Sequence, residues 1–94
     1  RLTRSMAREL APHNVTVNAI APGLLPSAFT LDGRDAESFE RMARGSIANT
    51  PLKRLATPED IASTTSFLAS TDAAFITAEV IHVCGGSQLA PFGN

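Results

Sequence analysis

The spacing of apolar residues changes character along the chain, and each change marks an element. From Arg1 to Ala11, Leu2, Met6 and Leu10 recur at i, i+4 and i+8 with Thr3 and Ala7 beside them. That spacing predicts a helix with a narrow apolar stripe. Pro12 cannot continue its hydrogen-bond ladder, and His13-Asn14 makes a short polar link. Val15 to Ala21 is then mostly β-branched or small and ends abruptly at Pro22-Gly23, the pattern of a buried strand delivered into a turn.

After the turn the period is lost. Leu24 to Arg34 carries Pro26, Ser27, Thr30, Asp32 and Gly33, yet also Leu24, Leu25, Phe29 and Leu31. An irregular segment with that much apolar surface suits a lid over an apolar pocket better than a solvated connector; its apolar residues also suit an ordinary core. Asp35 to Ala48 predicts a helix with Phe39, Met42, Ala43 and Ile47 on one side and Asp35 and Glu37 at its amino end. Gly45 to Leu55, with Asn49-Thr50-Pro51, reads as a second loop closing the lid.

Thr57-Pro58-Glu59-Asp60 is the sharpest local signal. Thr57 can accept from a free N–H of the first turn, Pro58 suits the first helical position, and the two acids favour the amino end. Ile61, Thr65 and Leu68 follow at helical spacing with Ala62 and Ala69, and Ser70-Thr71-Asp72 ends the run. Glu79 to Cys84 predicts a second strand, terminated by Gly85-Gly86. Strand, lid and helix, strand is a βαβ crossover with parallel strands. Two parallel strands leave faces and edges uncovered, so the segment is expected to need partner strands, from a further amino-terminal part or from another copy of the chain. The start at Arg1, inside a helix and without methionine, suggests the carboxyl-terminal portion of something longer.

Composition narrows the partners. A net charge of −1 with 44% hydrophobic and 18% charged residues is that of a soluble globular protein. It makes no electrostatic case for nucleic acid or an anionic membrane. The apolar runs are too short to cross a bilayer, and no signal-peptide pattern opens the chain. A cytoplasmic location is expected, in keeping with a lone cysteine, Cys84. Cys84 reads as a small buried hydrophobe, and His13 and His82 as a polar link residue and a strand side chain. One cysteine and two histidines distant in sequence support neither a metal site nor a nucleophile-base pair.

Candidate chemistry therefore concentrates at Pro22-Gly23. Ligands of open parallel sheets lie beyond the carboxyl ends of the strands, and Gly23 has no Cβ to keep another molecule from the main chain. The plainer reading is a turn that only ends a strand.

Five stretches in this order and spacing resemble the short-chain dehydrogenase/reductases, particularly those acting as 3-oxoacyl-carrier-protein reductases. They are Leu-Thr-Arg-Ser-Met-Ala-Arg-Glu-Leu-Ala at 2–11, Val-Asn-Ala-Ile-Ala-Pro-Gly at 17–23, Pro-Leu-Lys-Arg-Leu-Ala-Thr-Pro-Glu-Asp-Ile-Ala at 51–62, Phe-Leu-Ala-Ser at 67–70 and Ile-Thr-Ala-Glu-Val-Ile-His-Val-Cys-Gly-Gly at 76–86. The resemblance implies an α/β fold: the carboxyl-terminal part of a Rossmann-type, doubly wound parallel sheet, with 1–94 a segment of a single NAD(P)-binding domain and 24–55 its substrate lid. It implies hydride transfer between a nicotinamide, NAD or NADP, and a carbonyl or secondary alcohol, with the family's Ser and Tyr-x-x-x-Lys residues upstream of Arg1. No catalytic residue is then expected within the chain, which alone would be inactive.

The same resemblance assigns cofactor contact to Pro22, Gly23, Leu25 and Ser27, where Ser27 stands at a position usually held by a hydroxyl residue. On local sequence, Ser27 could equally be a solvated loop hydroxyl. Leu24, Phe29, Leu31, Phe39 and Met42 become the lid. Homo-oligomers are implied, with the last strand and tail near a subunit interface. Two positions depart from the pattern. Ala78 stands where Gly is common, which puts a Cβ into a turn that favours positive φ. Cys84 replaces an Asp, removing a carboxylate that could organise the carboxyl-terminal turn. The competing reading is a truncated, non-catalytic α/β interaction or structural module.

Overall fold

Helices and strands alternate as the apolar periods require. The computed structural model describes residues 1–25 and 36–89. In chain order these form helix α1 (Leu2–Leu10), a 3₁₀ turn (Ala11–His13), strand β1 (Ala19–Pro22), helix α2 (Ala36–Asn49), helix α3 (Pro58–Leu68), a second 3₁₀ turn (Thr71–Ala73) and strand β2 (Val80–Val83). The strands pair in parallel, from Ala19 opposite Val80 to Pro22 opposite Val83, and α3 contacts both. Among the described residues no helix is long and apolar enough to cross a membrane.

The first helix forms as predicted, but its buried side is rotated. Ala7 is 2% exposed while Leu2 is 73% exposed, so the face turned inward runs through Thr3, Ala7 and Leu10 rather than through Leu2 and Met6. Periodicity fixes a stripe; only a neighbour fixes which edge of it is covered. Asn14 closes the 3₁₀ turn in the left-handed region at φ 60, a conformation asparagine tolerates better than most residues.

Strand β1 is shorter than the apolar run suggests. Val15 to Asn18 lies outside the ladder because the segment ahead of β2 is a turn there, and the two are tied by other means. Val17 N donates to Thr77 Oγ1 at 3.0 Å, and Ala78 N donates to the Val17 carbonyl at 2.8 Å. Asn18 bridges both sides of the turn, its Nδ2 donating to the Ile76 carbonyl at 3.1 Å and its Oδ1 accepting from Glu79 N at 3.1 Å. One side-chain amide thus sets the register in which β2 meets β1.

Helix α2 runs through Asn49, past the point where Gly45 suggested a loop, and keeps Phe39, Met42, Ala43 and Ile47 on its covered side. Its carboxyl end is closed by Thr50, 4% exposed, whose hydroxyl donates to the Ser46 carbonyl at 2.6 Å. Lys53, in the left-handed region at φ 61, reaches back with Nζ to the Ala48 carbonyl at 2.7 Å, a cation where the helix dipole is negative. At α3 the predicted start is found: Thr57 Oγ1 accepts from Asp60 N at 3.2 Å and Asp60 Oδ2 accepts from Thr57 N at 2.8 Å, a reciprocal capping box. The covered stripe of α3 is Ile61, Thr64 and Leu68; Thr65 is exposed.

Ala78 holds φ at 66, so the turn takes a left-handed backbone despite the Cβ. That conformation costs an L residue about 1 kcal/mol. Ala78→Gly is expected to raise stability by up to about 1 kcal/mol, the gain being offset in part by the freer unfolded chain; urea unfolding checks it, and a lower midpoint would contradict the assigned backbone.

Candidate functional site

The carboxyl ends of the two strands meet side by side. Donation from Ala19 N to the Glu79 carbonyl and from Gly23 N to the Val83 carbonyl, at 2.9 and 3.1 Å, shows that the odd-numbered residues of β1 face β2. Pro22 therefore turns its missing N–H to the opposite edge and costs the pair no ladder bond. It is exposed at the strand end.

The bareness of Gly23 has a nearer use than a ligand. A Cβ built there would lie 3.2 Å from both Cα and Cβ of Cys84, so a side chain would crowd the junction of the two strand ends. The surface left for another molecule is the Pro22 ring and the main chain that follows. Gly23, Leu24 and Leu25 are half-buried rather than sealed, and the Leu24 carbonyl accepts from Ala56 N at 3.1 Å.

Ala56 belongs to the loop from Pro51 to Thr57, which is held at both ends. Leu52 N donates to the Gly85 carbonyl at 3.1 Å. Gly85 sits at φ +62, and a Cβ on it would come within 2.9 Å of Thr50 Cγ2, so a side chain there would be strained and would also force Thr50 to shift. At the far end Arg54 grips Asp60 with both terminal guanidinium nitrogens, Nη1 to Oδ2 at 2.8 Å and Nη2 to Oδ1 at 3.1 Å, and Nη1 also reaches the Leu55 carbonyl at 3.0 Å. Arg54, then the N–H and hydroxyl of Thr57, hold the Asp60 carboxyl well below the usual carboxylate range.

Between this loop and the end of β2 lies a cleft of about 170 Å³, its polar lining supplied by Arg54, Asp60, His82 and Cys84. Pro22 to Leu25 are not in its lining; they stand one strand over, joined to it through Cys84 and Ala56. Among the described residues no group of His, Cys, Asp and Glu side chains could hold a metal ion.

The predicted site residues are thus distributed as follows. Pro22, Gly23, Leu24 and Leu25 come together at the strand end, and Phe39 and Met42 are half-buried on α2. Ser27, Phe29 and Leu31 lie outside the described residues. His13 and His82 are exposed. Cys84 is half-buried rather than a core hydrophobe, and its Sγ donates to Gln88 Oε1 at 2.8 Å. Sequence reasoning passed over Asn18 and Arg54, whose partners lie across turns, and missed that a sulfur ahead of Gly-Gly can cap the turn that follows. The Ser87 hydroxyl, against the desolvation of the sulfur and with the N–H groups of Gln88, Gly86 and Ser87, holds the thiol below its ordinary pKa.

A family model described as enoyl-(acyl carrier protein) reductase matches residues 1–88. The chain belongs to the short-chain dehydrogenase/reductase family. It is 44% identical over 87 residues to a 3-oxoacyl-(acyl-carrier-protein) reductase of Vibrio cholerae, covering 93% of this chain and 34% of that protein. With the corresponding reductase of Staphylococcus aureus it shares 47% over 88 residues, covering 94% and 34%. The crystal structure of a short-chain dehydrogenase/reductase from Brucella melitensis superposes with a TM-score of 0.79 at 39% identity, over 95% of this chain and 34% of that one. The chain spans about a third of the length of the relatives it matches. The parallel pair and its flanking helices are accordingly those of a Rossmann-type short-chain dehydrogenase/reductase fold.

The sulfur of Cys84 stands at the amino end of the Gly85–Gln88 turn, in which Ser87 N donates to the Cys84 carbonyl at 3.0 Å. Alkylation of Cys84 by iodoacetamide is expected to show a pH midpoint below that of an unstructured cysteine peptide, moving upward in Ser87→Ala. A midpoint at or above that of a cysteine peptide would contradict the cap.

Proposed function

We propose that the chain is part of an NAD(P)-dependent oxidoreductase acting on a carbonyl or secondary alcohol, and that this segment forms the nicotinamide wall and the substrate lid. The observation that carries the reading is the junction of the two strand ends. There Gly23 and Cys84 close the sheet, Pro22 is exposed, and the half-buried main chain of Leu24 and Leu25 leads away from the carboxyl edge. Ligands of parallel α/β sheets take that position, and the relatives matched along the chain are reductases by name.

The residues present fit a planar heterocycle in one respect and modify the expectation in another. Pro22 offers a rigid apolar face and Leu25 main-chain groups for a carboxamide, with Ser27 as a further hydroxyl. Gly23 keeps the two strand ends close as well as leaving main chain free of a side chain beside the ring. When bound, the nicotinamide would supply or accept the hydride; the work of this chain is to place it and to exclude water with Leu24, Phe29, Leu31, Phe39 and Met42. The chain contains no tyrosine, so the tyrosine acid/base of the family is not among these residues, and we assign them no proton-transfer role.

Exposed Leu2, Phe67, Phe75 and Val80 favour packing of these residues against the remainder of a single cofactor-binding domain and against a second copy, in a cytoplasmic enzyme. The substrates argued for are apolar-leaning ketones, including 3-oxoacyl thioesters of the kind the matched reductases are named for.

The gene product carrying residues 1–94 is expected to oxidise NADH or NADPH only when a ketone or 3-oxoacyl thioester is added, with saturation in both. Absorbance at the reduced-nicotinamide band measures it. Oxidation of neither coenzyme with any carbonyl tested would overturn the reading.

A further inference from the structure

We propose that Arg54 and Asp60 are positioning residues for the cofactor wall, acting through the Ala56–Leu24 backbone bond. The proposal rests on the cofactor reading of residues 22–25. It starts from the fact that Leu24 leaves the strand end with no ladder to hold it. Among the described residues, the hydrogen bond from Ala56 N to the Leu24 carbonyl, at 3.1 Å, restrains it instead. A bond from a loop orients its acceptor only as well as the loop itself is fixed.

The loop is fixed by charge-assisted bonds on the immediate flanks of Ala56. Arg54 Nη1 holds the Leu55 carbonyl on one side, and Asp60 Oδ2 holds the Thr57 N–H at 2.8 Å on the other. The same two side chains are joined to each other by two bonds, at 2.8 and 3.1 Å. Arg54 and Asp60 thus span Ala56, whose amide holds the Leu24 carbonyl, and the fork geometry of arginine is needed to hold the carboxylate and a carbonyl together. As an isolated surface pair, with Arg54 57% and Asp60 26% exposed, it would contribute little stability. Its place in the chain, bracketing Ala56, is what links it to Leu24.

A cap and a positioning device separate experimentally. Thr57→Ala removes the hydroxyl half of the capping box, leaving the Arg54–Asp60 pair and the Ala56 amide in place. In the gene product carrying this chain, Arg54→Gln and Asp60→Asn are each expected to raise the Kd for NADH or NADPH roughly three- to tenfold, with kcat at saturating coenzyme held within about twofold. The double variant is expected to be no worse than the weaker single one, and Arg54→Lys to fall between. Thr57→Ala should lower the melting temperature while leaving the coenzyme Kd at the unaltered value. Fluorescence titration of the reduced coenzyme reads the Kd, and melting curves confirm folding of each variant. Unchanged Kd in folded Arg54→Gln and Asp60→Asn, or an equal rise in Thr57→Ala, overturns the positioning role and leaves the functional reading standing. Failure of the unaltered protein to bind either coenzyme overturns both.

Discussion

Everything else in this chain depends on the register in which β2 lies along β1. With Ala19 opposite Val80 and Pro22 opposite Val83, the strands run out together, and the next residues, Gly23 and Cys84, come close enough that a methyl group on Gly23 would be crowded at 3.2 Å from Cys84. Shifting the pair by one residue would turn every side chain of β2 to the other face. Asn18 guards against that slip by holding both limbs of the turn before β2. The same register presents Gly85 to Thr50 and Leu52, which brings the loop at 51–57 against the sheet and Ala56 against Leu24. The candidate cofactor wall is therefore the product of a pairing made some distance from it.

The burial pattern explains why local bonds matter so much here. Among the described residues the buried apolar ones are the small side chains Ala7, Ala43 and Ala73, while Leu2, Phe67 and Phe75 are exposed. A core of that kind removes little apolar surface from water, and the area term that dominates most domains is correspondingly weak. Side-chain to backbone bonds at Asn18, Thr50, Thr57 and Ser70 carry the geometry instead. Parallel pairs of two strands are found buried within larger sheets, and the exposed apolar faces of this one are consistent with its relatives being about three times as long.

Much of the fold could be read from local chemistry. Thr57-Pro58-Glu59-Asp60 announces a helix because each residue satisfies a requirement of the first turn by itself, and the capping box forms there. The parallel pairing followed from element order. What could not be read depended on neighbours distant in sequence. The covered edge of α1 is set by what packs against it, so Ala7 rather than Met6 is buried. Val15 to Asn18 lacks a ladder because the opposing residues form a turn. That Gly23 also stands against Cys84 shows only once the register is known, and Arg54 drew no reading because its partner Asp60 sits six residues on, across the loop. Cys84 was read by residue type, as a small hydrophobe, whereas its position ahead of Gly85 makes its sulfur a turn cap.

The account stands on the claim that the junction of the two strand ends is a surface for a nicotinamide. Amide chemical shifts of the isotopically labelled gene product, followed as NADH or NADPH is added, test it most directly. The account predicts that the amides of Gly23, Leu24 and Leu25 move together with that of Ala56 and reach a plateau with the coenzyme. Shifts confined to α1, or to the cleft lined by His82 and Gly85 with Gly23 to Leu25 unmoved, would contradict it.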